Sequence, residues 1–559
     1  MSSATTSARD PLDILRVSFQ SFFGWRIYHT LIMTPMRGRS LAAILAVMIV
    51  SLIIHGNAIR GWWLWDDPQL VIEAIRQPAI GTLFDPSEYS HLATHTFTPL
   101  LLLSFKTDIL VAGIRPAVFY AHQIAVLTLA AVLLFLLLRR YVSDWFAIAG
   151  SAIFLTTWAS VYAARMLMIR HYVEGLVFAL AALLAWSFGK RWIAMAAIFY
   201  LLAMLSKEVY APIPLFFICQ SRYDGRPWRE IAKEMILPAA ALLIFLAWRF
   251  YMIGLLGASP SVLESSEVTD LPGTLWGQLI GPGALWPNII WALAVVAVFG
   301  FFIARHRANA IAFLIIATIV VVAPIVPVVA AMQWRYSFAF VAFVVAALTI
   351  AAGTTGRWTI AVLLLLLATT TVTSIAQRRY YRQVMGRGIQ REGQYVWTQP
   401  PSAPTLAATS PPWYLGGLAW LRKNEGRGQS PQFVFSKYAI TVGGYDPKRI
   451  VMLDRRGNVT PVNWQSGREN FDPEAPLSIE FAIRNHEARW RFSPPAGRFV
   501  FLTEPGYSAI PIPPNGAQRV ASAREPQFFR IVREQTDGRW TVSPRLPIPA
   551  EGAVTRWSH

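Results

Sequence analysis

The sequence has little cysteine and little charge. Its 559 residues include one cysteine, Cys219, and a lone thiol can form neither an intramolecular disulfide nor a cysteine zinc cluster. Charged residues make up only 14% of the chain, whereas hydrophobic residues make up 55% and the mean hydropathy is +0.42. Soluble domains are about a quarter charged. The composition therefore predicts a polytopic α-helical membrane protein over most of the length.

Acidic residues are scarce relative to basic ones. The chain has 31 Asp and Glu against 50 Lys and Arg, a formal net charge of +19. Residues 377–559 alone hold 25 basic and 14 acidic side chains. Because the chain lacks an arginine-rich arm and an RNA-binding signature, we expect no nucleic acid partner. Membrane lipids with anionic headgroups, phosphates or acidic glycans are the expected partners of this charge.

The apolar segments and the charges between them predict a topology. Arg139-Arg140 and Lys190-Arg191 lie in alternate loops, whereas residues 255–285 contain neither Lys nor Arg. The positive-inside rule then predicts a cytoplasmic N-terminus and a C-terminal domain on the outer side. A cysteine-free exported domain is typical of bacteria, which predicts a bacterial inner membrane and a periplasmic domain. About eleven segments are long enough, or nearly so, to cross a bilayer: 41–59, 116–138, 145–163, 167–188, 191–205, 208–220, 235–254, 286–304, 308–331, 336–352 and 357–376.

Composition divides the chain into four parts. Residues 1–40, with five arginines and no signal-peptide cleavage pattern, are predicted to be a cytoplasmic segment. Residues 41–376 form the predicted membrane domain, whose first outer loop covers 60–115. Basic, aromatic and proline-rich residues predict a linker over 377–412. Short β-favouring runs predict a β-rich domain over 413–559, and these runs are 433–441, 449–453, 477–483, 499–503 and 528–532.

Two adjacent acids follow the first apolar segment. Asp66 and Asp67 lie in the tryptophan-rich run 62–68, and tryptophan favours the boundary between lipid and water. A carboxylate there can deprotonate an acceptor hydroxyl, and its neighbour can shift its pKa, orient it or bind a cation. The structural alternative is a solvated Asp-Asp-Pro turn. The sequence assigns no cofactor, although binding of a divalent cation remains an open alternative. The histidines are too scattered along the chain for a zinc site, and they are His91, His95, His122 and His171.

Several basic residues fall on the same predicted side of the membrane. Lys207-Glu208 lies between the fifth and sixth segments, where an ammonium suits a lipid-borne phosphate and the alternative is a local ion pair. Arg170 shares a helix face with Glu174, so these two residues could instead pair with each other. Ionisable groups within spans indicate function. The remaining candidates for donor binding are His171, Arg249, Arg335 and Tyr336.

The order of these motifs resembles the GT-C superfamily of integral-membrane glycosyltransferases. It is most similar to the protein O-mannosyltransferase-like branch that includes the transmembrane-and-TPR mannosyltransferases. The chain departs from that pattern at Gln333, where an acid is expected, and in carrying a β-rich domain instead of TPR helices. The likeness covers residues 40–350, and the matching elements are Trp65-Asp66-Asp67-Pro68, Phe97-Thr98-Pro99-Leu100 with Leu103-Ser104-Phe105, Val118-Phe119-Tyr120-Ala121-His122-Gln123, Arg170, Leu205-Ser206-Lys207-Glu208 and Trp334-Arg335-Tyr336.

The resemblance implies an inverting transferase that takes a monosaccharide from a polyprenyl-phosphate donor to an acceptor hydroxyl. In such enzymes a loop-one aspartate, here Asp66 or Asp67, acts as base and nearby cations stabilise the departing phosphate. The first acid of the motif is usually the base in related enzymes, so the resemblance favours Asp66. The acceptor stays open between a lipid, a glycan and a protein. Two alternatives are a flippase for lipid-linked sugars, although no inverted repeat is visible, and an O-antigen-ligase-like enzyme that transfers a whole glycan.

The predicted β-rich domain contains three tryptophans of interest. They could bind glycan, or they could fill the domain's hydrophobic core, which is the more common role of tryptophan in β-sheet domains. These residues are Trp464, Trp490 and Trp540.

Overall fold

The chain divides into two compact units. A computed structural model describes residues 38–90, 97–254, 285–306, 317–318, 322, 338–380, 387–454, 456–462, 464, 469–484, 487–503, 508–519, 528–550 and 552–559. The first unit contains the described residues up to Trp62 and from Glu73 to Tyr380. The second contains Trp63–Ile72 and the described residues after 382. The segment Trp63–Ile72 is called the loop segment below.

All the regular secondary structure in the described residues of the first unit is helical. Helix α2 (Asp67–Arg76) begins in the loop segment and ends in this unit. Short 3-10 turns cover Gly56–Arg60, Leu167–Ile169, Lys190–Trp192 and Glu208–Tyr210. The other helices are α1 (Gly38–His55), α3 (Ala79–Phe84), α4 (Pro86–Ser90), α5 (Pro99–Ala112), α6 (Pro116–Leu138), α7 (Asp144–Thr156), α8 (Trp158–Ala163), α9 (Arg170–Ser187), α10 (Ile193–Ser206), α11 (Ile213–Tyr223), α12 (Trp228–Glu234), α13 (Ile236–Ile253), α14 (Leu285–His306), α15 (Phe338–Thr355) and α16 (Thr359–Tyr380).

Seven helical stretches of the described chain are long and apolar enough to cross a membrane. They confirm a multi-pass membrane protein and are Ser40–Arg60, Pro116–Leu138, Leu167–Ser187, Trp228–Ile253, Trp286–Arg305, Phe338–Thr355 and Thr359–Tyr380. Because α7, α10 and α11 are shorter, the count of about eleven stays a prediction. The predicted span 308–331 lies almost wholly outside the described residues. The stretch that contains α9 is the most enclosed of the seven.

The second unit is rich in strands, as predicted for the C-terminal part of the chain. Its helices are α17 (Arg387–Thr398), α18 (Pro412–Asn424) and the short α19 (Ala439–Val442). Its strands are β1 (Thr405–Ala407), β2 (Phe433–Val434), β3 (Ile450–Leu453), β4 (Val459–Pro461), β5 (Ser478–Arg484), β6 (Glu487–Ser493), β7 (Arg498–Thr503), β8 (Ser508–Ile512), β9 (Asn515–Arg519), β10 (Phe528–Glu534), β11 (Trp540–Val542), β12 (Leu546–Pro547) and β13 (Val554–Ser558).

These strands form three sheets. The first has the order β2-β1-β3-β4, with β1 parallel to β2 and β3. The second has the order β11-β10-β7-β8, with β12 also paired to β10, and the third is β13-β5-β6-β9. Phe481 of β5 packs with Phe501 and Phe529 of the second sheet. The second and third sheets therefore bury a common hydrophobic core between them.

The structure differs from the predicted linker over 377–412. The described part of that range contains α17, β1 and the start of α18. The prolines are compatible with this order because Pro412 occupies the first position of α18, where no backbone N–H is needed. Pro404 instead accepts a 2.9 Å hydrogen bond from Tyr395 through its carbonyl. The predicted β-favouring run 433–441 also differs from the structure, because β2 ends at Val434 and helix α19 begins at Ala439.

Candidate functional site

The loop segment forms a tight turn directly after the first spanning helix. Trp65 has φ +46°, a left-handed backbone conformation that is unfavourable for a bulky side chain. The backbone N–H of Leu64 donates to Oδ2 of Asp67 at 2.8 Å. The N–H of Asp67 donates back to the carbonyl of Leu64 at 2.9 Å. These reciprocal hydrogen bonds close the turn and stabilise the strained residue between them.

The two adjacent acids have different surroundings. Asp67 is 0% exposed and is the first residue of α2, where a negative charge is favoured by the helix dipole. Asp66 is half-buried, and its Oδ1 accepts a 3.1 Å hydrogen bond from Nε1 of Trp413. Asp67 therefore has a structural role in the turn. Asp66 has the exposure that a proton acceptor needs.

Helix α18 contacts the loop segment within the second unit. Tyr414 donates its hydroxyl to the carbonyl of Trp63 at 2.9 Å, and Nε2 of Gln69 donates to the carbonyl of Trp413 at 2.7 Å. A Cβ on Gly417 would lie 2.9 Å from Cβ of Pro68, so glycine at this position permits the close approach of α18 to the loop segment. The sequence analysis did not identify these α18 residues, because no local pattern links them to a loop some 350 positions earlier.

In the first unit, Lys207 and Glu208 lie at the turn after α10. Lys207 is 2% exposed; its Nζ contacts Oε1 of Glu208 at 3.0 Å and lies 5.6 Å from the ring centroid of Tyr172. The ion pair that we weighed as a structural alternative is therefore present. A Cβ on Gly175 of α9 would overlap the ring of Tyr210. Glycine at that position lets the Glu208–Tyr210 turn pack directly against α9.

Two basic side chains act on the carboxylate of Glu208. Both Lys207 and Arg249, which is also buried, act electrostatically on its carboxylate. Oε2 of Glu208 is buried and has no hydrogen-bond partner among the described residues. Burial raises the pKa of the nearby Tyr89 phenol well above its usual value, so that side chain adds no negative charge. Lys207 and Arg249 are both basic side chains whose charge acts on Glu208, and ammonium and guanidinium groups are common binding partners of a phosphate.

Arg170 lies in an internal network instead. Its side chain is 0% exposed, and its Nη1 contacts Oδ2 of Asp108 at 2.5 Å. Nη2 donates to the carbonyl of Phe119 at 2.7 Å, and Nε donates to Oε1 of Gln123 at 3.2 Å. The salt bridge of Arg170 is thus with Asp108, whereas Glu174, the partner suggested by helical spacing, interacts with Arg170 electrostatically without a salt bridge. Because the guanidinium of Arg170 is already bound to several protein acceptors, we infer a structural role for it rather than phosphate binding.

The same network contains His122, which the sequence analysis had set aside. Nδ1 of His122 lies 2.7 Å from Oδ1 of Asp108. Asp108 was also missed; its signal was an acid within the apolar helix α5. Among the other candidates, His171 is buried with its ring 4.3 Å from that of Tyr172.

Arg335 and Tyr336 lie outside the described residues, so their predicted roles stay predictions. The acids Asp66 and Asp67 belong to the second unit, and the described basic candidates belong to the first. Among the residues that the structure covers, no group of three His, Cys, Asp or Glu side chains is placed to hold a metal ion.

Comparison with known proteins gives two similar solved structures, both of ArnT from Cupriavidus metallidurans. The structure bound to undecaprenyl phosphate is 12% identical and covers 75% of this chain and 94% of that chain, with a TM-score of 0.42. The apo structure is 13% identical and covers 74% and 93%, also with a TM-score of 0.42. No protein-family model and no curated protein matches the chain. Similarity at this level carries no inference about mechanism, and the O-mannosyltransferase branch stays a prediction.

Replacing Asp67 with alanine should destabilise the second unit. The change removes a buried charged acceptor from the N–H of Leu64, a bond that contributes roughly 1.5–3 kcal/mol. The matched variant Asp66→Ala removes an acceptor from an exposed indole and should cost less. Thermal unfolding of the full-length protein, followed by limited proteolysis of the second unit, measures the difference. Equal losses of stability in the two variants would contradict the structural role of Asp67.

Replacing Asp108 with alanine should strongly destabilise the first unit. Removal of one partner from a buried ion pair costs roughly 3–5 kcal/mol, because the remaining charge stays buried. Asp144→Ala is the control, since Asp144 pairs with Arg139 at 2.8 Å but is partly exposed, and such pairs contribute about 0–1 kcal/mol. The yield of folded protein and its apparent melting temperature report both effects. Similar values for the two variants would argue against a buried Arg170 network.

Proposed function

We propose that this chain is an inverting glycosyltransferase of the GT-C type. It would move a monosaccharide from a polyprenyl-phosphate donor to an acceptor hydroxyl at the outer face of a bacterial inner membrane. The observation that carries the proposal is the turn that buries Asp67 and leaves Asp66 half-exposed, directly after an apolar helix of spanning length. The donor class comes from the resemblance of the motifs to the O-mannosyltransferase-like branch.

Asp66 is the proposed general base. The indole N–H of Trp413 donates to Oδ1 of Asp66, whereas Oδ2 of Asp66 has no hydrogen-bond partner among the described residues. Oδ2 would take the proton of the acceptor hydroxyl as the acceptor oxygen forms a bond to the anomeric carbon. The bond between that carbon and the phosphate oxygen would break, and polyprenyl phosphate would leave with the electron pair. A single displacement of this kind inverts the configuration of the sugar.

Lys207 and Arg249 are the proposed cations for the lipid phosphate. Negative charge grows on the phosphate as it leaves, so fixed positive charge stabilises the transition state more than the ground state. Lys207, Arg249 and Glu208 are already assembled in an apolar unit, where both cations are buried. Preorganised charge of this kind needs little rearrangement during the reaction.

Asp66→Asn should abolish transfer without unfolding the protein. The amide oxygen can still accept from Trp413, but the side chain can no longer take a proton, and loss of a general base costs roughly 10²–10⁴-fold in rate. The assay measures release of undecaprenyl phosphate from undecaprenyl-phosphate-linked hexoses. Membranes prepared from cells without the protein supply the acceptor. Asp85→Asn, at an exposed loop aspartate, is the control. Full activity of Asp66→Asn would disprove its role as base.

The phosphate assignment is tested by binding of undecaprenyl phosphate alone. Lys207→Met and Arg249→Met should each weaken binding about tenfold or more, because each removes a charge-assisted contact. Glu208→Gln removes the negative charge and should bind at least as tightly as the wild type. Lys106→Met is the control, since Nζ of Lys106 donates to the backbone carbonyls of Ala74 and Gln77. Weaker binding by Glu208→Gln would contradict the charge argument.

A further inference from the structure

One tryptophan of the second unit is exposed beside the proposed base. Trp413, the second residue of α18, is 51% exposed, and no other Trp, Tyr or Phe side chain in the described part of this unit is exposed. Trp540 is fully buried, while Trp490 and Trp464 are partly buried and pack against hydrophobic clusters. The three tryptophans considered from the sequence therefore pack in or against the hydrophobic core, whereas Trp413 does not.

Trp413 is bound to the loop segment through two different groups. Its indole N–H donates to Oδ1 of Asp66 at 3.1 Å. Its backbone carbonyl accepts from Nε2 of Gln69 at 2.7 Å. The neighbouring Tyr414 is buried and donates to the carbonyl of Trp63. Because both its ends are bound, the position of the indole and the orientation of the Asp66 carboxylate depend on each other.

We propose that Trp413 and Asp66 form a subsite for a pyranose ring, in which Trp413 is a positioning residue. A pyranose has C–H bonds on its faces and hydroxyl groups around its edge. The exposed indole can pack against a C–H face, and Oδ2 of Asp66 can accept from a hydroxyl at the ring edge. An apolar plane next to a carboxylate is the combination that such a ring requires. The inference rests on the proposed function, because it places a sugar at the proposed base.

Two variants of Trp413 separate the two contributions of its side chain. Trp413→Phe keeps an aromatic face and removes the N–H that orients Asp66, so kcat should fall about tenfold while KM changes little. Trp413→Ala removes the aromatic face as well as the N–H. The KM for the undecaprenyl-phosphate-linked hexose should therefore also rise, by roughly threefold to tenfold. Trp490→Phe is the matched control, because Nε1 of Trp490 donates to the carbonyl of Pro513 at 3.0 Å within the same unit.

A second measurement does not require turnover. Saturation-transfer NMR with methyl α-D-mannopyranoside and methyl β-D-glucopyranoside is recorded on the full-length protein in nanodiscs. At least one probe should receive saturation from the wild type, Trp413→Phe and Trp490→Phe, and lose it in Trp413→Ala. A wild type that binds neither probe, or a Trp413→Ala variant that binds as the wild type does, overturns the subsite.

The kinetic outcomes also decide between the two proposals. Wild-type kcat and KM in both Trp413 variants, or an equal loss in Trp490→Phe, overturn the inference even where Asp66→Asn is inactive. Full transfer by Asp66→Asn instead overturns the proposed base, and in that case loss of probe binding in Trp413→Ala still supports a sugar subsite. Failure of one proposal is therefore distinguishable from failure of the other.

Discussion

A charge buried in an apolar helical unit must be compensated within that unit. The desolvation cost of an isolated ion is several kcal/mol even after relaxation, and this chain has few charged residues from which to choose partners. Arg170 meets the requirement through Asp108, and the pair is 2.5 Å apart. Lys207 meets it through Glu208 at 3.0 Å. Arg249 is a further buried cation whose charge acts on Glu208, so the second group contains two basic side chains.

This difference separates structural charge from charge that can bind a ligand. Hydrogen bonds to carbonyl, amide and carboxylate oxygens surround Arg170, so a phosphate would have to displace protein acceptors. Near Glu208, the proposed phosphate would instead meet two basic side chains, Lys207 and Arg249. The apolar surroundings strengthen both effects, because the energy of an electrostatic interaction at a given distance is larger in a medium of low dielectric constant.

The sequence predicted features that depend on neighbouring positions and missed those that join distant ones. Lys207 and Glu208 are adjacent, so their ion pair was visible as an alternative. Asp108 is 62 positions from Arg170, whereas the helical spacing to Glu174 suggested a nearer partner. Trp413 is 347 positions from Asp66, and only the folded chain brings them together. The linker prediction relied on proline content, which does not distinguish a flexible segment from the first turn of a helix.

The resemblance preferred Asp66 over Asp67 only by the order of the two acids in the motif. The structure supplies a physical reason for the same preference. The strained conformation of Trp65 persists because Asp67 bonds to Leu64, and a carboxylate used in that way is not available to a hydroxyl group. The loop segment also belongs to the second unit. Substitutions in α18 should therefore change the orientation of the proposed base. In this proposal the C-terminal part of the chain orients a catalytic side chain.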